Sequence, residues 1–335
     1  MLVLHSLNSS AVRSLPKPGD PVFLELILNQ KSLSRPHLAI HQENYCDVDP
    51  VRTQFMIVYP TRKKGNHYFF ELPGQQHLRY FSIVVTENKL PVYLMEDYHF
   101  EPGDHVRIST DALAAAGSNA LDFSGPGAAK YCCQNEFSDR MLLDSALGEP
   151  LYTEGGIYNN NNTYSRKRKL LFEVIDKFEP QLSDDSFALL KADVIYKTAR
   201  EMTADFQERI ADAIRANDLQ LYVSLNSDYP KMLRQKDAAP IPDKIKYLSK
   251  EYAQYCVTRH VCDYFSQYMR TNFIGVYNQI TKTKNTDLRD KVTVALFIMH
   301  HAEMKTDYHS LLDYALSHIK NKECMEKLRY FASLH

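Results

Sequence analysis

Between Val22 and Phe123 the apolar positions come in short runs rich in β-branched and aromatic residues, the pattern of strands. The runs predict strands at Val22–Leu28, Phe55–Tyr59, His67–Leu72, Tyr80–Val85, Val92–Met95 and Val106–Ser109. Turn chemistry separates them at Pro18-Gly19-Asp20, Lys64-Gly65-Asn66, Pro73-Gly74 and Pro102-Gly103-Asp104. Many short strands at close spacing, with no helix between them, predict an antiparallel sandwich or small barrel over residues 1–124.

The period changes at Ser124. Gly125-Pro126-Gly127 turns the chain into a helix from Ala128 to about Leu147. Gly155-Gly156 and Asn159 to Asn162 mark a polar excursion at about 150–165, where limited proteolysis is expected to cut first, between Gly155 and Tyr164. Ser183 is a good N-cap, with Asp184 and Asp185 complementing the helix dipole behind it. Phe187, Leu190, Val194, Met202, Phe206 and Ile210 then form one apolar stripe. Further helices are expected over Lys244 to about Arg270, after Thr286, and after Thr306; a loop is expected near 235–242, where Pro240 and Pro242 forbid helix. The fold class is therefore α+β: a β-sandwich-like domain over 1–124 and an all-α helical domain over 125–335.

Composition changes this picture little. Forty basic and 41 acidic residues leave a net charge of −1, so no global field draws the chain to nucleic acid or to an anionic membrane. The longest apolar stretch, Val292 to Met299, is far shorter than a membrane span, and Met1 to Val12 lacks the basic and apolar regions of a signal peptide. The 22 tyrosines read as packing residues with a wet edge at sheet and helix surfaces.

Candidate chemistry is sparse. His300, His301, Glu303 and His309 form the densest group of potential metal ligands, which would make a metal-dependent hydrolase. Adjacent histidines on a helix point about 100° apart, however, whereas a helical zinc site wants them four residues apart. Cys256, His260 and Cys262 offer a second loose group, read as packing. The six cysteines, Cys46, Cys132, Cys133, Cys256, Cys262 and Cys324, contain no C-x-x-C pair and read as free thiols. Cys256, Cys262 and Cys324 are expected to be buried and inert, while Cys132 and Cys133, near a helix start, are expected to feel the dipole and favour thiolate. Gly125-Pro126-Gly127 lacks the Lys-Ser/Thr of a phosphate cradle, and Glu96, Asp97 and Asp104 read as solvated acids around a turn. Neither catalytic nor cofactor-binding residues are assigned, and no cofactor is expected.

Four segments in order carry a resemblance. They are His67 to Leu72 with Pro73; Val92 to Val106 with Phe100-Glu101-Pro102-Gly103-Asp104; Leu121 to Ala129 (LDFSGPGAA); and the pair Leu288-Arg289-Asp290-Lys291 and Ile319-Lys320-Asn321-Lys322. This set resembles the region upstream of the thioredoxin-like domain in Bacteroidetes thiol–disulfide oxidoreductases of the TlpA/ResA type, over roughly residues 20 to 335. The family's W-C-x-x-C motif has no counterpart here, so no catalytic residue carries over. The resemblance implies a non-catalytic accessory region of the periplasm or cell envelope that docks a protein partner or a thioredoxin-like module. The alternative is a stand-alone glycan- or peptide-binding protein using a Tyr-rich surface.

Overall fold

The computed structural model describes residues 17, 19–30, 32–41, 55–74, 78–110, 121–144, 152, 158–159, 163–233 and 241–333. Nine strands precede ten helices: β1 (Val22–Ile27), β2 (Leu33–His41), β3 (Phe55–Val58), β4 (Arg62–Lys64), β5 (His67–Leu72), β6 (Arg79–Glu87), β7 (Leu90–Phe100), β8 (His105–Thr110) and β9 (Leu121–Ser124). They form two sheets, β4-β5-β1-β8-β9 and β3-β2-β6-β7. One core fills the space between them, with Leu24, Phe70 and Ile108 from the first sheet meeting Leu38, Phe81 and Phe100 from the second. Burial alternates along β1, β5 and β8, as expected of strands with one face in the core and one in solvent.

All six predicted strands are present. β2, β4 and β9 were not anticipated, and β2 has a physical reason for escaping notice. It contains Pro36, preceded by Arg35 at a φ of 48° and flanked by a register shift between Ser34 and His37, so its sequence reads as a broken strand. The pairing is antiparallel as expected except between β1 and β8, which run parallel in the middle of the five-stranded sheet.

The helices are α1 (Ala128–Asp144), α2 (Thr163–Phe178), α3 (Asp184–Arg215), α4 (Leu219–Leu233), α5 (Asp243–Leu248), α6 (Lys250–Tyr268), α7 (Phe273–Ile280), α8 (Thr286–Met304), α9 (Tyr308–His318) and α10 (Lys322–Ser333). Ser183 caps α3 as expected, its hydroxyl accepting from the Ser186 N–H at 3.1 Å. Three details differ. The helix expected over 244–270 is broken at Ser249; the cap of α8 is Asn285, not Thr286; and α9 begins at Tyr308 after a 3-10 turn. α7 was missed, although Asn272 caps it by accepting from the Gly275 N–H at 3.0 Å. After residue 170 the described chain holds no strand. Within the expected 150–165 excursion, Tyr152 and Tyr158 form an isolated bridge, Tyr152 is buried against Phe206, and Tyr164 already lies in α2. Residues 150–151, 153–157 and 160–162 of that excursion, Cys46, Met1 to Val12 and residues 234–240 lie outside the described residues.

The strand region ends at Ser124, but packing crosses that line. Tyr131 of α1 sits in the sandwich core, 6.0 Å from the Phe81 ring and 5.8 Å from Phe123, while Cys133 of the same helix packs with Leu171, Leu190 and Val194. A further core joins Leu78 and Tyr80 of the sheet side to Leu189, Ala192 and Ile245 of the helices. The tyrosines divide: Tyr80, Tyr98 and Tyr131 are buried, whereas Tyr222, Tyr255 and Tyr264 keep a partly exposed edge as expected and Tyr59 is 68% exposed.

Gly125 and Gly127 make the reversal from β9 into α1. Both have positive φ, and a Cβ would overlap the His105 carbonyl oxygen at Gly125 and the Asp104 carboxylate at Gly127. Gly127→Ala is expected to cost about 2–4 kcal/mol in urea unfolding. Gly74→Ala, at a φ of 52° but facing open space, is expected to cost only about 1 kcal/mol. Equal losses would mean that backbone strain, not the crowding at Asp104, sets the requirement.

Candidate functional site: a sheet groove and the polar seam beneath it

A run of polar side chains threads the boundary between the sandwich and the helices. At one end Lys130 of α1, 2% exposed, donates to Asp104 Oδ1 at 2.6 Å and lies 3.2 Å from Glu101 Oε1. Tyr131 Oη donates to the other Asp104 oxygen at 3.1 Å. Glu101 Oε2 accepts from both Ser183 and Ser186 at 2.7 Å, which ties the β7–β8 turn to the first turn of α3. Ser186 Oγ also lies 3.3 Å from His99 Nε2. At the other end Lys250, the first residue of α6, is ion-paired with Asp97 of β7. Asp97 in turn lies 3.3 Å from His41 Nε2, and Tyr80 and Ser249 donate to Asp193 of α3 at 2.7 and 2.6 Å. Asp104 is therefore the partner of buried Lys130 and Asp97 that of half-buried Lys250, so the expectation of solvated turn acids is overturned for these two and holds for Glu96, which is exposed. An amine withdrawn from water must be paired, and these carboxylates are what pairs it.

The environment sets the protonation of the seam. Burial pushes the His41 and His99 imidazoles down to about 3, so both are neutral at pH 7. Burial lifts Asp193 to about 6 against the pull of Lys250 and the hydrogen bonds from Ser249 and Tyr80. Burial works against the charge of Lys250, but Asp97, Glu251 and Asp193 outweigh it and hold the amine above its usual range. Burial likewise tends to raise Glu101, yet Lys130, Ser183 and Ser186 keep its carboxyl below the usual value.

The second feature is a groove of about 750 Å³ on the outer face of the five-stranded sheet. Strand register arranges its side chains in rows running across the strands. One row is Arg62, Phe69, Glu25, Arg107 and Ser124; the next is Glu71, Phe23 and His105. Glu25 joins two residues, with Oε1 2.7 Å from His67 Nδ1 and Oε2 accepting from Arg107 Nε at 2.7 Å. Burial tends to raise its carboxyl, but these two hydrogen bonds hold it below the usual range. Phe23 and His105 rings lie 4.6 Å apart. The seam's turn also places this floor: the Phe23 N–H donates to the Asp104 carbonyl at 2.8 Å, and the His105 N–H donates to that of Pro126 at 3.0 Å.

The metal candidates do not converge. His300 Nδ1 is 3.0 Å from Glu303 Oε1, while His301 turns away to pack edge-on against Phe331 at 5.2 Å. His309 packs edge-on to Tyr308, and among the described residues no three His, Cys, Asp or Glu side chains gather as a metal site. Burial pushes the Cys256 thiol up to about 11 and Cys262 up to about 12, and Cys324 is also buried. The dipole expectation for Cys132 and Cys133 is overturned. Both lie beyond the first turn of α1, and burial raises Cys132 and pushes Cys133 up to about 12. No described helix is long and apolar enough to cross a membrane.

The segments that carry the sequence resemblance meet in pairs. Asp104 and Gly127 touch at the seam, and Asp290 accepts from the Lys320 and Asn321 N–H groups at 2.7 and 2.8 Å. Sequence reasoning missed the seam and the groove. Lys130, a lone charge among Ala128, Ala129, Tyr131, Cys132 and Cys133, was the available signal for the first. The outward Phe-x-Glu of β1 and Phe-x-Glu of β5 were the signal for the second. The chain matches no protein-family model and no curated protein.

The buried histidines predict acid lability. Their folded pKa lies below the unfolded value of 6.5, so the stability they carry is full above pH 6.5 and lost as pH falls toward 3. Asp193, raised above 3.8, acts oppositely and favours the folded state as pH falls through 6. Two histidines against one aspartate leave a net loss of about 1.4 kcal/mol per pH unit near pH 5. Urea unfolding across this window should show that slope, and His41→Gln with His99→Gln should reverse its sign, since Asp193 is then left acting alone. An unchanged slope in the double variant would place the proton uptake elsewhere.

Proposed function

We propose that this chain is a non-enzymatic docking module, of the kind implied by its resemblance to the region upstream of TlpA/ResA-type thioredoxin-like domains, acting on a protein partner in the cell envelope. The observation that carries the reading is the groove. It presents Phe23 and Phe69 beside Glu25, Arg62 and Arg107, and no residue of a described helix lines it. Recognition surfaces combine such aromatic anchors with a few charged groups that fix orientation. The seam supports the same reading, since it mounts the groove-bearing sandwich on the helices through paired buried charges instead of a flexible linker. The raised thiols of Cys133, Cys256 and Cys262 favour docking over thiol exchange, because a protonated thiol is a poor nucleophile.

Selection of displayed random peptides on the folded chain is expected to return ligands that the double variant Phe23→Ala/Phe69→Ala no longer binds. Ligands indifferent to both substitutions would remove the groove from the docking role. In parallel, the chain is expected to leave the rate of insulin reduction by dithiothreitol unchanged, and catalytic turnover there would overturn the non-enzymatic reading.

A further inference from the structure

Two guanidinium groups lean toward the middle of the groove. Along the row Arg62, Phe69, Glu25, Arg107, each arginine reaches one strand inward. Arg62 Cζ lies 4.1 Å from the centroid of the Phe69 ring, and Arg107 Nε bonds Glu25. Phe69 and Glu25 are register partners on adjacent strands, so their Cα atoms stand only about 5 Å apart. The two cations thus gather over one cross-strand pair.

Glu25 does not use them up. Both of its oxygens are engaged, one by His67 and one by a single Arg107 N–H. Among the described residues Arg62 makes no ion pair, and the terminal amino groups of Arg107 make no hydrogen bond. A guanidinium stacked on an aromatic face keeps its in-plane donors free for a carboxylate, the geometry in which paired N–H groups bind best. The adjoining edge strand, Arg62-Lys63-Lys64, is exposed throughout, and Lys64 lies on the same face of the sheet as Arg62.

The neighbouring row has the opposite bias. Phe23 and His105 make it aromatic, and the exposed Glu71 at its end repels an anion. The groove crosses five strands, a span of about 19 Å at the usual strand spacing, which matches about six residues of extended chain. Successive side chains of an extended chain lean to opposite sides.

We propose that the groove binds an extended peptide segment in which acidic and apolar residues alternate, carboxylates toward Arg62 and Arg107 and apolar side chains toward Phe23 and His105. This identity for the occupant rests on the docking reading above. The test uses a fluorescent hexapeptide of alternating Glu and Leu, its Lys/Leu and Ser/Leu counterparts, and a uronic-acid oligosaccharide, each titrated into the full chain at low and high salt. The Glu/Leu peptide is expected to bind at least about tenfold more tightly than the others, and more weakly at high salt. Arg62→Ala and Arg107→Ala are each expected to weaken it by about tenfold with little change in melting temperature, since both side chains are exposed. Arg62→Glu is expected to shift the preference toward the Lys/Leu peptide. Equal binding of the Ser/Leu peptide, preference for the oligosaccharide, indifference to the arginine substitutions, or no binding at all would overturn the acidic occupant. Equal binding of the Ser/Leu peptide that Phe69→Ala still abolishes would leave the docking module standing.

Discussion

Lys130 and Lys250 are the two cations on which the arrangement of this protein turns. An amine taken from water costs several kcal/mol unless carboxylates meet it, and stripping a partner from such a pair typically costs about 3–5 kcal/mol. Lys130 therefore holds the β7–β8 turn, through Asp104 and Glu101, against α1, and Glu101 passes the constraint on to the first turn of α3. Lys250 does the same at the other end, pairing α6 with Asp97 of β7 beside Asp193 of α3. Two pins some distance apart define an orientation as well as a contact, so the helices can mount on the sandwich in one way.

That mounting reaches the opposite face of the sheet. Asp104 bonds Lys130 through its side chain and Phe23 through its backbone, and the next residue, His105, stacks beside Phe23 in the groove. The tight glycines at 125 and 127 serve both sides, clearing His105 on one and Asp104 on the other. The turn that locks the two regions together thus also shapes the surface proposed to recognise a partner. The neutral histidines within the lock make its stability depend on pH, while Cys133, Cys262 and Cys324, buried in the helical cores, contribute volume and little reactivity.

Much of the architecture follows from local chemistry. The runs at Val22, His67 and Val106 alternate with the period of a strand, the Ser183 cap precedes an apolar stripe of helical period, and the glycines after Ser124 allow the chain to reverse there. Each of these is decided within a few residues, so the sequence alone determined an α+β chain whose strands end at Ser124. Where local signals conflict, the reading failed: Pro36 argues against a strand that β6 nevertheless pairs, and Ser249 breaks an otherwise periodic helix.

Pairing between distant residues has no such local trace. Nothing near Asp97 announces Lys250, more than 150 positions later, and nothing near Arg62 announces that it will share a row with Arg107. Strand order and register decide the groove, because they bring alternate side chains of β4, β5, β1 and β8 into line across the sheet. Burial decides the chemistry of the seam and of the thiols, because solvent withdrawal outweighs the helix dipole at Cys133 and turns apparent surface acids into partners of buried lysines. The sequence alone determined the fold class and the elements whose local signals agree; the tertiary structure alone decided the strands and breaks that pairing imposes, which charges are buried together and which face is left open to bind.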